Sequence, residues 1–128
     1  MRAGVRVENP FGYSQRVWRL FIETPRAGLL EGAGVLTGSS ETRANQNRLQ
    51  FQVRVEDEQV VDARFQAYGC PTTIAVGAWL AGEVIGKTLT ELAGFKAKDI
   101  RQTLEIPEDR LHCVLMAEDA IKSLFATR

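Results

Sequence analysis

The sequence predicts an α+β fold: a small antiparallel sheet with helices packed on one face. Three observations carry that expectation. Residues 48–68 hold two stretches of apolar–polar alternation split by a polar turn, the pattern of a half-buried hairpin. Apolar stripes at helical spacing lie on both sides of that hairpin in the chain. The order is therefore helix, then strands, then helices.

The elements follow from local chemistry. A short strand or arm is expected at residues 3–8, and Asn9-Pro10-Phe11-Gly12 is a turn signal. Ser14 can cap a helix from Gln15 to Ile22, and Pro25 stops it because the residue before a proline is pushed out of helical geometry. Tyr13, Val17 and Leu20 form one face of that helix, suited to packing or to a partner. Residues 26–46 are rich in Gly, Ser, Thr and Asn and read as a loop, flexible over 29–46, with at most a short strand at 34–37.

Leu49, Phe51, Val53 and Val55 alternate with Arg48, Gln50, Gln52 and Arg54 in the first hairpin strand. Glu56-Asp57-Glu58-Gln59 is the turn, and the second strand, Val60 to Tyr68, sets Val61, Ala63, Phe65 and Ala67 on one face. Gly69-Cys70-Pro71 ends it, with Pro71 at a first helical position. An apolar helix is expected from Pro71 to Val84, a short one capped by Thr88 through Leu92, and another over Ala97–Leu104. Ile106-Pro107 is a break, and the last helix runs from near His112 to about Phe125, burying Leu115, Ala117, Ala120, Ile121 and Leu124. Trp18 and Trp79 read as core or groove-lining residues.

Composition narrows the function. A chain of 128 residues is expected to form one domain over 1–128, large enough to fold without staples. Sixteen basic and sixteen acidic residues give no net charge, which points away from nucleic acid and from anionic lipid. No apolar run reaches the roughly 18 residues of a membrane span, and the first residues lack a signal-peptide core, so a cytoplasmic location is expected. The chain is not expected to be an enzyme: one histidine leaves no Ser/His/Asp set, and no phosphate loop or dinucleotide fingerprint is present.

The two cysteines, Cys70 and Cys113, each fall at the start of a helix, and the one histidine, His112, adjoins Cys113. The positive end of a helix favours thiolate, the form that binds metal and attacks sulfur. If the two helix starts meet at one end of the sheet, Cys70, His112 and Cys113 form a set suited to zinc or iron. Free cysteines also serve as buried core residues, and residue chemistry alone leaves both readings open.

At these residues the sequence resembles the U-type iron–sulfur cluster scaffolds, IscU and the amino-terminal domain of NifU. Tyr13-Ser14-Gln15-Arg16-Val17 with Pro25-Arg26 resembles the family's opening helix. Asp62-Ala63-Arg64-Phe65-Gln66-Ala67-Tyr68-Gly69-Cys70 resembles its second cysteine motif, and Gly86-Lys87-Thr88-Leu89 its following turn. Leu111-His112-Cys113, then Ala117-Glu118-Asp119-Ala120-Ile121-Lys122, resembles its third cysteine motif and closing helix. The resemblance spans about residues 13–125.

It implies an IscU/NifU-like helix-on-sheet fold and a scaffold or carrier that takes sulfur from a cysteine desulfurase, assembles a [2Fe–2S] cluster and passes it to recipient apo-proteins. Carried over by motif, the ligands of the cluster, or of a zinc or iron ion, are Cys70, His112 and Cys113, with Arg110 where the family usually has lysine. Two departures follow. The family's first cysteine falls at or near Asn45 and its aspartate near Asn47, and residues 1–69 contain no thiol. A [2Fe–2S] cluster normally takes four mostly thiolate ligands, so the remainder would come from a second chain, a small thiol or Glu41. The family's Leu-Pro-Pro-Val-Lys chaperone segment is here Ile106-Pro107-Glu108-Asp109-Arg110, which points away from handover by an Hsp70-type chaperone.

Three roles remain in view: a scaffold or carrier holding iron, zinc or a [2Fe–2S] cluster; a sulfur acceptor for the desulfurase, with Cys113 as the accepting thiol; and a degenerate interaction partner that holds no cluster.

Overall fold

The computed structural model describes residues 12–42 and 46–126. The arm expected at 3–8, and the turn before Gly12, lie outside the described residues. Helix α1 (Gln15–Glu23) leads into strands β1 (Val35–Thr42), β2 (Asn47–Glu56) and β3 (Gln59–Tyr68). Helices α2 (Pro71–Glu83), α3 (Leu89–Ala93) and α4 (Ala97–Leu104) follow, then a 3-10 turn (Glu108–Arg110) and α5 (Leu111–Ala126). The expected α+β arrangement is present.

The helix ends form where their side chains can satisfy free backbone groups. Ser14 Oγ accepts from Val17 N at 3.2 Å and donates to Leu104 O at 2.8 Å, so one hydroxyl caps α1 and ties it to the end of α4. Thr24, before Pro25, closes α1 in left-handed geometry at φ 39°. Thr88 and Glu91 form a reciprocal capping box at α3.

The sheet runs β1-β2-β3, antiparallel throughout. Leu49, Phe51, Val53, Ala63 and Phe65 are buried on its inner face, under α2 and α5. Burying a Phe or Leu side chain contributes about 2 kcal/mol, so this shared face is the main source of cohesion. Leu20 and Tyr13 pack against the same core, Val17 is buried within it, and Trp79 meets Phe95 edge-on at 6.3 Å.

Three expectations change. The span read as a loop at 29–46 contains an eight-residue strand, β1, paired along its length with β2. Its composition hides this, because Gly38, Ser39 and Ser40 are weak strand formers taken up by pairing and by α5 above them. The stretch before β1 is also tied down: Gly28 N donates to Phe65 O, Leu30 N to Gln52 Oε1, and Val55 N to Gly34 O, at 2.9, 2.8 and 2.8 Å. Second, Val61 is 43% exposed, while Val60 is buried. The register passes from Arg54–Asp62 to Val55–Val60, and the extra residue is a bulge that turns Val61 outward. Third, Leu115 is 47% exposed. Helix α5 is covered on several sides, by β1, β2, α2 and α4, so Val114 and Met116 join its buried arc while Leu115, Asp119 and Lys122 share the remaining face.

A Cβ on Gly38 would run into Ala120 O and stand 3.0 Å from Leu124 N, both backbone atoms of α5. Gly38→Ala is therefore expected to destabilise the fold by about 2 kcal/mol or more in urea unfolding, the scale of overpacking. Gly82, in α2, has open space around it, and Gly82→Ala is expected to stabilise by about 0.5–1 kcal/mol. Equal effects of the two substitutions would contradict this packing.

Candidate functional site

Strand β3 delivers Cys70 to the N-cap of α2, and the 3-10 turn delivers Cys113 to the first turn of α5. The two helices lie side by side on the sheet, so their starts meet. The sulfurs are 3.6 Å apart. Thr73, in the first turn of α2, places its hydroxyl 3.2 Å from Cys113 Sγ and 3.5 Å from Cys70 Sγ. Both cysteines are free thiols.

They differ in setting. Cys113 is buried, at 1% exposure, whereas Cys70 is half-buried at the rim. The hydrogen bond from Cys113 holds the Cys70 thiol far below its ordinary range, to about 4, against the opposing effect of burial. The Thr73 hydroxyl and the amide N–H groups of Thr73 and Thr72 add to the lowering, although Cys70 makes no formal capping bond. Cys113 is pushed the other way, up, first by its bond to Cys70 and then by burial. The pair thus shares one proton, with the charge on Cys70 and the proton on Cys113.

Cys70 opens onto a cavity of about 490 Å³ lined by Asn47, Tyr68, Ile74, Arg110 and His112. His112 thus faces the same cavity as Cys70. Among the described residues, no three His, Cys, Asp or Glu side chains stand close enough together to hold a metal ion. The structure brings the two thiols into contact and leaves His112 beside them as a wall of the cavity. Asn47, 3% exposed, packs against Gly69, next to Cys70. Asn45 lies outside the described residues. Glu41 forms an ion pair with Arg48 at 3.3 Å on the sheet.

Arg110 also reaches Tyr13, its guanidinium carbon 5.9 Å from the ring centre. Burial holds the Tyr13 phenol above its ordinary range, and Arg110 opposes that. Tyr13 stacks on Trp18 at 5.8 Å, which links the start of α1 to the cysteine site. Sequence reasoning did not single out Thr73. The available signal was position: a hydroxyl three residues past an N-cap cysteine can reach back to it.

The family model described as the NifU-like N terminal domain matches residues 12–126. This chain belongs to that family. The iron-sulfur cluster assembly scaffold protein IscU of Haemophilus influenzae is 34% identical over 117 residues, covering 89% of this chain and 93% of that one. IscU of Escherichia coli K12 is 42% identical over 79 residues, 61% of this chain and 62% of its own length, so this match takes in less than two thirds of that relative. The NifU-like fold also has solved counterparts. A protein proposed as a scaffold for the SUF system, from Fervidobacterium islandicum, superposes with a TM-score of 0.72 at 17% identity over 88% of this chain and 96% of its own. The amino-terminal part of a NifU-like protein from Brucella abortus gives 0.65 at 19% identity over 89% and 94%. At these identities the two structures speak for the fold alone. Among the described residues, no helix is long and apolar enough to cross a membrane.

The site makes a reactivity prediction. A depressed thiol pKa keeps the thiolate present as pH falls, until pH passes through that lowered value. Iodoacetamide labelling of Cys70 should therefore hold its rate from about pH 8.5, the ordinary thiol range, down to about pH 6, while native Cys113 stays unlabelled. In Cys113→Ala the bond is gone, and the Cys70 rate should fall about tenfold per pH unit below its raised pKa. A wild-type rate that drops in the same way would refute the shared proton.

Proposed function

We propose that this chain is an iron–sulfur cluster assembly scaffold or carrier, not an enzyme in its own right, and that Cys70 and Cys113 hold its cargo. The observation that carries this is the contact of the two thiols at adjoining helix starts. Two thiolates on one tetrahedral metal, with bonds of roughly 2.3 Å, stand about 3.8 Å apart. The sulfurs here are 3.6 Å apart, so little movement separates the free pair from a bidentate metal clamp. His112, on the same cavity, is the third ligand of this reading. The cargo is a zinc or iron ion or a [2Fe–2S] cluster, and for a cluster the remaining ligand comes from a second chain or a small thiol.

The family supplies the partners of this reading: a cysteine desulfurase as sulfur source and apo-proteins as recipients. The segment before His112 forms a 3-10 turn with Glu108 and Asp109 exposed, a charged surface unlike an apolar chaperone-binding peptide. No part is assigned to an Hsp70-type chaperone, to nucleic acid or to a membrane, and the place of action is the cytoplasm.

One observation favours a second reading, in which the chain accepts sulfur. Cys70 is the half-exposed, charged thiol, and Cys113 is buried and protonated. The accepting thiol of that reading is therefore Cys70 rather than Cys113, the residue first suggested by motif.

The test is anaerobic reconstitution with iron, sulfide and a small thiol, then with zinc. Cys70→Ser and Cys113→Ser are each expected to lower affinity at least about tenfold, the effect of removing even an outer partner of a metal ligand. Asn45→Cys, which restores a third thiol, is expected to raise cluster retention. Absence of bound iron, zinc and acid-labile sulfide in wild type and Asn45→Cys alike would refute the scaffold reading and leave the sulfur-accepting one.

A further inference from the structure

Two features of the thiol pair bear on what happens to sulfur after it arrives. Cys70 lines the cavity and Cys113 does not. Cys113 lies buried on the protein side, with its sulfur 3.6 Å from Cys70 Sγ. A donor reaching the site from solvent therefore meets Cys70 first. A sulfur atom added to Cys70 would extend into the cavity, toward Tyr68, Arg110 and His112. The inner sulfur, Cys70 Sγ, would stay in contact with Cys113. Displacement at sulfur proceeds through a thiol attacking one sulfur of an S–S bond, and which of the two is attacked decides the product. Here the attacking thiol already touches the inner one.

We propose that Cys113 is an internal resolving thiol, which releases a sulfur atom accepted by Cys70 as inorganic sulfide. This rests on the sulfur-accepting reading of Cys70 given above. The reactant is a persulfide, a donor of class R–S–SH. In the first step Cys70 Sγ attacks the terminal sulfur; a Cys70 Sγ–S bond forms, the donor S–S bond breaks, and the donor leaves as its thiol. In the second step Cys113 Sγ attacks Cys70 Sγ. The Sγ–Sγ bond forms, the Cys70 Sγ–S bond breaks, and hydrosulfide leaves with the electron pair of that bond. The proton of Cys113 goes to the leaving group or to water. The added sulfur is reduced by two electrons and the two thiols are oxidised to one disulfide, so no further reductant is needed for one turnover.

The geometry supports the leaving direction as well. Hydrosulfide departs into the cavity, where Arg110 offers positive charge. The Thr73 hydroxyl, within 3.2 and 3.5 Å of the two sulfurs, holds them together for the exchange. The chain has no other cysteine, so a persulfide on Cys70 has one internal partner. After release the pair is a disulfide and cannot clamp metal until it is reduced again. Sulfide supply and cargo holding are then alternating states of the same two atoms.

The experiment exposes the reduced chain, without oxygen, to an equivalent of glutathione persulfide and reads free sulfide, thiol count and intact mass. Wild type is expected to release about one sulfide per chain, to lose both thiols and to lighten by two hydrogen atoms. Cys113→Ala is expected to keep one extra sulfur atom on Cys70 and to release no sulfide. Wild type that retains the extra sulfur with Cys113 free, or carries it on Cys113, would overturn the proposal while leaving sulfur acceptance intact. A Cys113→Ala chain that takes up no sulfur, or takes up a glutathione adduct instead, would overturn acceptance by Cys70 and the proposal with it. Should Cys113→Ala fail to fold, a Cys113→Ser chain replaces it, and the wild-type mass and sulfide yield already separate release from retention.

Discussion

Close approach of two helices to one sheet face governs this molecule. Helix α5 comes down on β1 over Gly38, where any side chain would strike its backbone. Helix α2 comes down over β2 and β3 through Gly77, where an added Cβ would lie 2.6 Å from the Phe65 ring and 3.0 Å from Leu49. Both helices therefore ride low on the sheet, side by side, and their starts fall at one end of it. The thiol pair is a consequence of that spacing. Raising either helix by the width of a methyl group would separate sulfurs that are now in contact.

Contact at that distance changes the chemistry of both thiols. Apart, two cysteines at helix starts would each gain some thiolate character from the helix dipole. Together they cannot both ionise cheaply, and a hydrogen bond resolves the conflict by placing the charge on the more exposed one. Thr73 bridges the pair, since its hydroxyl reaches both sulfurs from the first turn of α2 and favours the thiolate of each. One thiolate at the rim and one protonated thiol beneath it is an arrangement that neither residue has alone.

Much of this was legible in the sequence, for identifiable reasons. The alternation of Leu49, Phe51 and Val53 with polar residues marked β2, and Ser14, Pro71 and Thr88 marked three helix starts, because these signals are local. Strand β1 was not legible: Gly38, Ser39 and Ser40 carry no strand signal of their own, and partners distant in the chain hold them extended. Val61 was misplaced because a bulge shifts the period by one residue, and Leu115 because the buried arc of α5 depends on how many neighbours surround it. At the site, Cys70 and Cys113 stood out by position. Thr73 did not, since a threonine in an apolar helix start reads as packing, and the distance from His112 to a shared ligand sphere is a tertiary fact.

Asn47 shows how the departures from the family pattern bear on one another. By resemblance, an aspartate stands near this position in the scaffolds. Here the residue is a neutral amide, 3% exposed, on the same cavity as Cys70. A carboxylate in that place would be a buried like charge close to a thiolate, and would push the Cys70 pKa upward. The amide removes that opposition, so the charge on Cys70 stands against no neighbouring anion from β2. By the same resemblance, the family's first cysteine has no counterpart here, so on the proposed scaffold reading one thiolate donor is missing. The neutral residue at Asn47 leaves Cys70 in its thiolate form over a wider pH range, although a thiolate of lower pKa is intrinsically the weaker nucleophile. Both changes act on the surroundings of the same two sulfurs, one by removing a donor and the other by removing a charge.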